Sequence, residues 1–273
     1  MNATMLAFDR LASQYDAIAE GELFTLMRRR THDAFRRWFQ PGCRVLDIGC
    51  GTGLDTAFLA ANGVRVVACD PSEAMVGRTL SRLASQGNSS RTTVMPSGLH
   101  NVAMFLDALG EREPFDGIVS NFGALNCVQC LEPLNALARH ALRPGGAVIL
   151  GLMGRTCAVE TIYFALTGRR ELMRRRRSDV PVLVAVAGVQ VPTFYHRTAD
   201  VVAALRPELT LVGVTGIGVL LPPPYLEPRW QQLPAVVRAP LAAMDSAIAS
   251  LPPFNRFGDH VLLQFTKTRD ADD

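Results

Sequence analysis

The stretch Arg44-Val45-Leu46-Asp47-Ile48-Gly49-Cys50-Gly51-Thr52-Gly53-Leu54-Asp55 restricts this chain more than any other. Residues 44–48 form a short β-branched and aliphatic run, the composition of a buried parallel strand. Three glycines follow at alternate positions, and residues 55–61 then carry a helical pattern. A strand that ends in glycines and opens a helix gathers backbone N–H groups and a positive helix end at one point. A ligand can approach the bare main chain there.

Spacing narrows the ligand. A dinucleotide fingerprint needs a third glycine at position 54, where Leu54 stands. The pattern is instead Asp-x-Gly-x-Gly-x-Gly, Asp47 to Gly53. Seventeen residues later a second strand pattern, 64–69, ends in Asp70, placed to accept from both hydroxyls of a ribose. This constellation resembles motif I and the acidic second-strand end of the class I S-adenosylmethionine (SAM) dependent methyltransferases. Phe8-Asp9-Arg10-Leu11-Ala12-Ser13-Gln14-Tyr15-Asp16 resembles the first helix of their ubiquinone/menaquinone and biotin-pathway type. Pro114-Phe115-Asp116 before a fourth strand and Arg143-Pro144-Gly145-Gly146 before a fifth continue the match to about Met153.

The resemblance implies a Rossmann-like, doubly wound α/β fold with a seven-stranded sheet, its last strand antiparallel, and helical lid insertions. It implies SAM as cofactor, held by Asp47, Gly49, Cys50, Gly51, Gly53, Asp70 and Pro71. Met75 would lie against adenine, with Ser97, Gly98 and Leu99 where the family usually has an acid-containing motif. Asn121 and Phe122, at the fourth strand's carboxyl end, would lie near the transferable methyl. Tyr15 would be a lid residue, or would only pack its helix onto the sheet.

Length suits one domain over 1–273. Residues 1–40 read as an N-terminal helical lid, 41–153 as the SAM-binding core, and 154–197 and 222–256 as substrate-lid insertions. Within these, 156–166 and 198–205 read as helices, 180–191 as a hairpin around Gly188, and 209–221 as the sixth strand. A helix is expected around 241–250 and the last strand at 259–265.

Methyl transfer from a sulfonium is an in-line displacement, so the protein mainly positions a nucleophile and excludes water. A hydroxyl nucleophile also wants a base, whereas a carboxylate needs none. Of the five histidines, His196 and His260 are the base candidates, His260 with Asp259 as orienting partner. Either can equally be a structural hydrogen-bonding residue. Phe122, Asn126, Tyr195 and Arg197 are candidate acceptor contacts, although Asn126 can instead cap a helix. His32, His100 and His140 read as surface or capping residues. The histidines are scattered and no acid pair stands with them, so no metal site is expected.

Lid segments rich in Leu, Val, Phe, Met and Pro suit a small, hydrophobic acceptor. O-methylation of a hydroxyl or carboxyl is the first reading. C-methylation of a quinone-like or polyketide ring is second, and a non-catalytic SAM-binding or scaffold protein is the rival of another class. A net charge of +3 does not argue for nucleic acid. The arginine clumps at 28–30, 36–37, 169–170 and 174–177 read as solvated faces, or as holding an anionic group on a substrate, a carrier or a membrane. The six cysteines read as buried small hydrophobes. No signal peptide or spanning segment is recognisable. Hence a cytoplasmic protein with at most peripheral membrane contact is expected, its oligomeric state open to a homodimer.

Overall fold

Strand β1 (Arg44–Ile48), buried along its whole length, nucleates the sheet in the computed structural model, which describes residues 2–110 and 112–268. It pairs in parallel with β2 (Arg65–Cys69) on one side and β4 (Phe115–Ser120) on the other. Beyond these lie β3 (Thr92–Met95) and β5 (Leu142–Met153). A hairpin of β6 (Val182–Val186) and β7 (Val189–Thr193) stands apart as its own two-stranded sheet. Strands β8 (Leu209–Ile217) and β9 (His260–Lys267) complete the main sheet, in the order β3-β2-β1-β4-β5-β9-β8. β9 runs antiparallel to both of its neighbours. The strand order reverses between β1 and β4, so their carboxyl ends flank the crevice where such sheets take ligands.

Side chains alternate across the strands, which splits the core in two. Leu46 and Ile48 face one cluster, with α5 (Val102–Ala108), α6 (Glu132–Ala141) and α9 (Thr198–Ala204). Val45 faces the other, with α2 (Glu22–Trp38), α3 (Leu54–Ala61) and Trp230 of α10 (Glu227–Trp230). Helix α2 buries Leu23, Met27, Thr31, Ala34 and Phe35, one helical stripe. Helices α1 (Ala3–Ala19), α4 (Glu73–Ser85), α7 (Ala158–Leu166), α8 (Arg170–Arg174) and α11 (Ala235–Ile248) complete the set. The expected hairpin forms, and α1 packs on β7. Its turn residues Ala187 and Gly188 both have positive φ, 47° and 77°, matching the right-handed twist of the two strands.

Three readings need correction. The sixth strand ends at Ile217, because Gly218 turns the chain with φ +67°. The last helix begins at Ala235, ahead of the expected 241, and passes through Pro240. Finally, Cys130 is exposed, and only Cys69 and Cys157 are fully buried.

Candidate functional site

The glycine turn between β1 and α3 divides its labour. Gly49, Gly51 and Gly53 have φ of 75°, 58° and 79°, all left-handed and costly for other residues. A Cβ on Gly49 would collide with Ala124, and one on Gly53 would come within 2.7 Å of Thr79 Cγ2. A Cβ on Gly51 meets nothing within 4 Å. The outer glycines therefore permit packing, while Gly51 faces a narrow cleft of about 30 Å³ lined also by Tyr15, Arg28, Asp47, Asn121 and Phe122.

Asp70 closes one side of this turn. Its Oδ2 accepts from Gly51 N at 3.0 Å and its Oδ1 from Ser72 N at 2.9 Å. A carboxylate has lone pairs beyond these two, so it keeps capacity for hydroxyl donors. Asp47 accepts from the Thr56 hydroxyl at 2.6 Å. Helix α1 is tied across the turn by its two aspartates. Asp9 accepts from the Ser72 hydroxyl at 2.6 Å; Asp16 accepts from the Thr52 hydroxyl at 2.6 Å and pairs with Arg82 at 2.8 Å.

Burial raises the Asp70 carboxyl to about 6, against the opposing N–H bonds of Ser72 and Gly51. Burial, with the neighbouring Asp55 charge, raises Asp47 to about 7. A carboxyl whose folded pKa exceeds its unfolded value keeps its proton in the native protein while the unfolded chain has released it. Stability from such a group is present at low pH and is lost as pH rises through the folded pKa. Asp70→Asn is therefore expected to flatten the fall in stability between roughly pH 4 and 6, by up to about 1.4 kcal/mol per pH unit. Urea melts across that range measure it, and an unaltered slope rejects the assignment.

A cluster that the sequence did not disclose sits on the opposite wall. Buried Asp55 accepts from Arg28 at 2.9 Å and from Asn121 Nδ2 at 2.7 Å, and His32 Nε2 stands 2.8 Å from it. Burial pushes this carboxyl up, but Arg28, His32 and Asn121 together outweigh it and hold it below the usual carboxylate range. His32 stacks on Phe58 at 3.6 Å between centroids, and the Arg28 guanidinium lies 4.4 Å from the Phe122 ring. The surface reading of His32 is thus corrected, as is the solvated-face reading for Arg28 and Arg30 of the clump at 28–30, while Arg29 is exposed. Arg28 pairs with Asp55 and Arg30 with buried Asp245. Arg28 and His32 lie four residues apart on α2, hence on one face; that spacing was the available signal.

Phe122 itself takes φ 47° and packs edge-on to Phe24 and to His260, with centroids 5.4 and 5.5 Å apart. His260 opens β9. Its Nδ1 lies 3.0 Å from Asp259 Oδ2, an ion-pair contact, and this buried nitrogen makes no hydrogen bond among the described residues. Arg176 supports the pair, donating to Asp259 Oδ1 at 2.5 Å and to the Asp259 carbonyl at 2.8 Å while also pairing with Glu160. Glu160 further pairs with Arg175 and accepts from the Tyr225 hydroxyl at 2.9 Å. Burial opposes the Asp259 charge, but Arg176 and His260 hold its carboxyl below the usual range. The potential ligand atoms of Cys157, Glu160 and Asp259 lie within 4.8 Å of one another, and the Arg176 guanidinium already balances both carboxylates.

The other expected residues are placed elsewhere. Asn126 is fully buried and committed: it accepts from Met153 N at 2.8 Å and donates to the Phe194 carbonyl at 2.7 Å, leaving little for an acceptor. His196 Nε2 donates to the Val128 carbonyl at 2.9 Å and lines a different cavity. Tyr195 is buried 5.6 Å below Arg176, and Arg197 pairs at the surface with Asp179. Met75 is buried, its backbone N–H bonded to the Ser72 hydroxyl that caps α4. Ser97 and Leu99 are buried, and a Cβ on Gly98 would touch Pro71 at 3.7 Å, so these four surround the β3 end without lining the cleft.

Residues 45–146 match the family model described as a methyltransferase domain. A demethylmenaquinone methyltransferase of Beutenbergia cavernae is 33% identical over 147 residues, covering 52% of this chain and 55% of that protein. A ubiquinone biosynthesis O-methyltransferase of Rhizobium johnstonii is 34% identical over 116 residues, covering 42% of this chain and 43% of that protein. The chain thus spans about half the length of the curated relatives it matches. A structure of a Burkholderia thailandensis 1,6-didemethyltoxoflavin-N1-methyltransferase with bound S-adenosylhomocysteine superposes with a TM-score of 0.54 at 18% identity, covering 98% of this chain and 89% of that one. This last likeness is one of fold.

Proposed function

The chain carries a class I SAM-dependent methyltransferase domain with SAM as its cofactor, and on that premise we propose that it transfers the methyl group to a hydroxyl or carboxyl oxygen of a small, apolar molecule. Gly51 would leave room for SAM at the turn, Asp70 would accept from its ribose hydroxyls, Arg28 would meet its carboxylate, and Phe122 and Asn121 would lie near its methyl-bearing end. The acceptor lies beyond Phe122, against His260 and under the lid of α7 and η-turn residues 175–177. Demethylmenaquinone and ubiquinone-pathway relatives support an aromatic or quinone-like body.

The observation that carries this reading is His260, with its Nδ1 3.0 Å from Asp259 Oδ2 and its ring against Phe122. Bound SAM would supply an activated methyl group with a thioether as leaving group, so that displacement by the acceptor oxygen needs no further activation. With Asp259 beside Nδ1, the other ring nitrogen of His260 would take the hydroxyl proton of the acceptor. Asp259 stabilises the imidazolium, and Arg176 holds Asp259 in place.

Incubation with SAM and a panel of apolar phenols, acids and hydroquinones, read by mass gain of one methyl group, tests the activity. His260→Ala is expected to lower kcat on a hydroxyl acceptor by about 10²–10⁴, the usual contribution of a general base. His196→Ala should keep turnover within a few-fold. Full activity in His260→Ala would leave a carboxylate acceptor, which needs no base. The relation to demethylmenaquinone methyltransferases favours ring-carbon methylation as the second reading, and NMR of the product separates the two.

A further inference from the structure

A second cavity of about 340 Å³ lies against the sheet and shares no lining residue with the cleft at the glycine turn. Its floor is apolar: Leu152 of β5, Val201 of α9, and Val261 and Leu263 of β9. Leu152 is paired with Val261, and Met153 with His260. Because successive side chains on a strand point to opposite faces, this floor belongs to the sheet face opposite His260 and the cofactor cleft. The volume is in the range of small-molecule sites, roughly 300–1,000 Å³.

Its rim is cationic. Arg155, Arg197 and Arg256 line it. A single carboxylate, Asp179, is shared by Arg155 at 2.8 Å and Arg197 at 2.7 Å. Arg256 is exposed and has no ion pair or hydrogen bond from its guanidinium among the described residues. His196 adds a polar edge: its Nε2 proton goes to the Val128 carbonyl, which leaves Nδ1 unbonded. Three guanidinium groups set against one shared carboxylate leave an excess of positive charge over an apolar floor. Such a lining favours a ligand that is negative at one end and apolar over the rest, since a carboxylate or sulfonate can pair with the guanidinium groups at the rim.

We propose that this cavity is a second ligand site, for a small amphipathic organic anion bearing a single carboxylate or sulfonate on an apolar body, and that it is occupied independently of SAM. Arg256 holds the charged end, and Val201, Val261 and Leu263 hold the apolar body. The site does not depend on the methyl-transfer reading, because it draws on none of the residues placed at the cofactor turn.

The test uses 8-anilinonaphthalene-1-sulfonate, an apolar ring system with one sulfonate, titrated by fluorescence and calorimetry into the full chain saturated with SAM. One saturable site is expected. Arg256→Glu should weaken it at least tenfold by reversing the charge, and Ala199→Trp should do the same by filling the exposed rim. SAM affinity, measured by calorimetry, should stay within twofold of the parent in both variants. Probe binding that is unchanged in both variants, or no saturable binding to the SAM-saturated chain, would each overturn the proposal. Failure of the methyltransferase reading would show separately, as absent SAM binding in the parent protein.

Discussion

Asp70→Ala is expected to weaken SAM binding at least tenfold. A hydrogen bond to a charged group contributes about 1.5–3 kcal/mol, and about 1.4 kcal/mol is a factor of ten in affinity. Losing even one ribose contact to this carboxylate reaches that threshold. The carboxyl titrates at about 6, raised by burial, and only its ionised form accepts from both hydroxyls. SAM affinity in the parent should therefore fall about tenfold per unit below pH 6, a dependence that the Ala variant loses. Gly51→Val is a second check only if the variant folds, since its Cβ would meet nothing within 4 Å but φ +58° strains a β-branched residue. Gly49→Ala would not serve, because its Cβ runs into Ala124 and the fold itself would suffer. Calorimetry at pH 5 and pH 7.5 measures all of this, and unchanged affinity in a folded Asp70→Ala protein defeats the cofactor assignment.

Arg176→Met is expected to be the most destabilising change in the 154–197 segment, by about 3–5 kcal/mol, the cost of leaving a buried ion pair with one partner removed. Arg176 is 6% exposed and pairs with two carboxylates that are themselves almost wholly buried, Glu160 and Asp259. Arg175 continues to neutralise Glu160, but Asp259 would keep only His260. Turnover should fall with stability if, as proposed, Asp259 orients His260 as the base. Arg177→Met is the control: Arg177 is exposed, and surface substitutions ordinarily stay within about 0.5 kcal/mol. Equal midpoints for the two variants in denaturant would show that the buried network does not hold the lid.

The cofactor half was legible because its signals are local. The β1 run, the alternating glycines and Asp70 all act within 27 residues of one another, from 44 to 70, and each follows from backbone geometry. The hairpin was legible for the same reason, with Gly188 in its two-residue turn. The cluster on the other wall was not. Asp55 meets Arg28, 27 positions earlier, and Asn121, 66 positions later, and nothing in the spacing of any one segment foretells which acid an arginine will face. The runs at 28–30 and 174–177 looked like solvated charge, yet Arg28, Arg30 and Arg176 are the groups that neutralise Asp55, Asp245 and Asp259. Asn126 misled in the opposite sense: its position after β4 suggested an acceptor contact, while its amide ties residue 153 to residue 194.

The sequence by itself determined the first strand, the glycine turn and the acid at the β2 end, because strand composition and left-handed backbone are properties of a few adjacent residues, and the doubly wound sheet followed from the resemblance those residues carry. Tertiary structure alone decided which buried charges pair, which histidine faces Phe122 and which faces the second cavity. Those outcomes depend on how the sheet stacks its two faces and on how the lid returns to the ends of β5 and β9, where a low-dielectric interior forces each charge to find its partner across the fold.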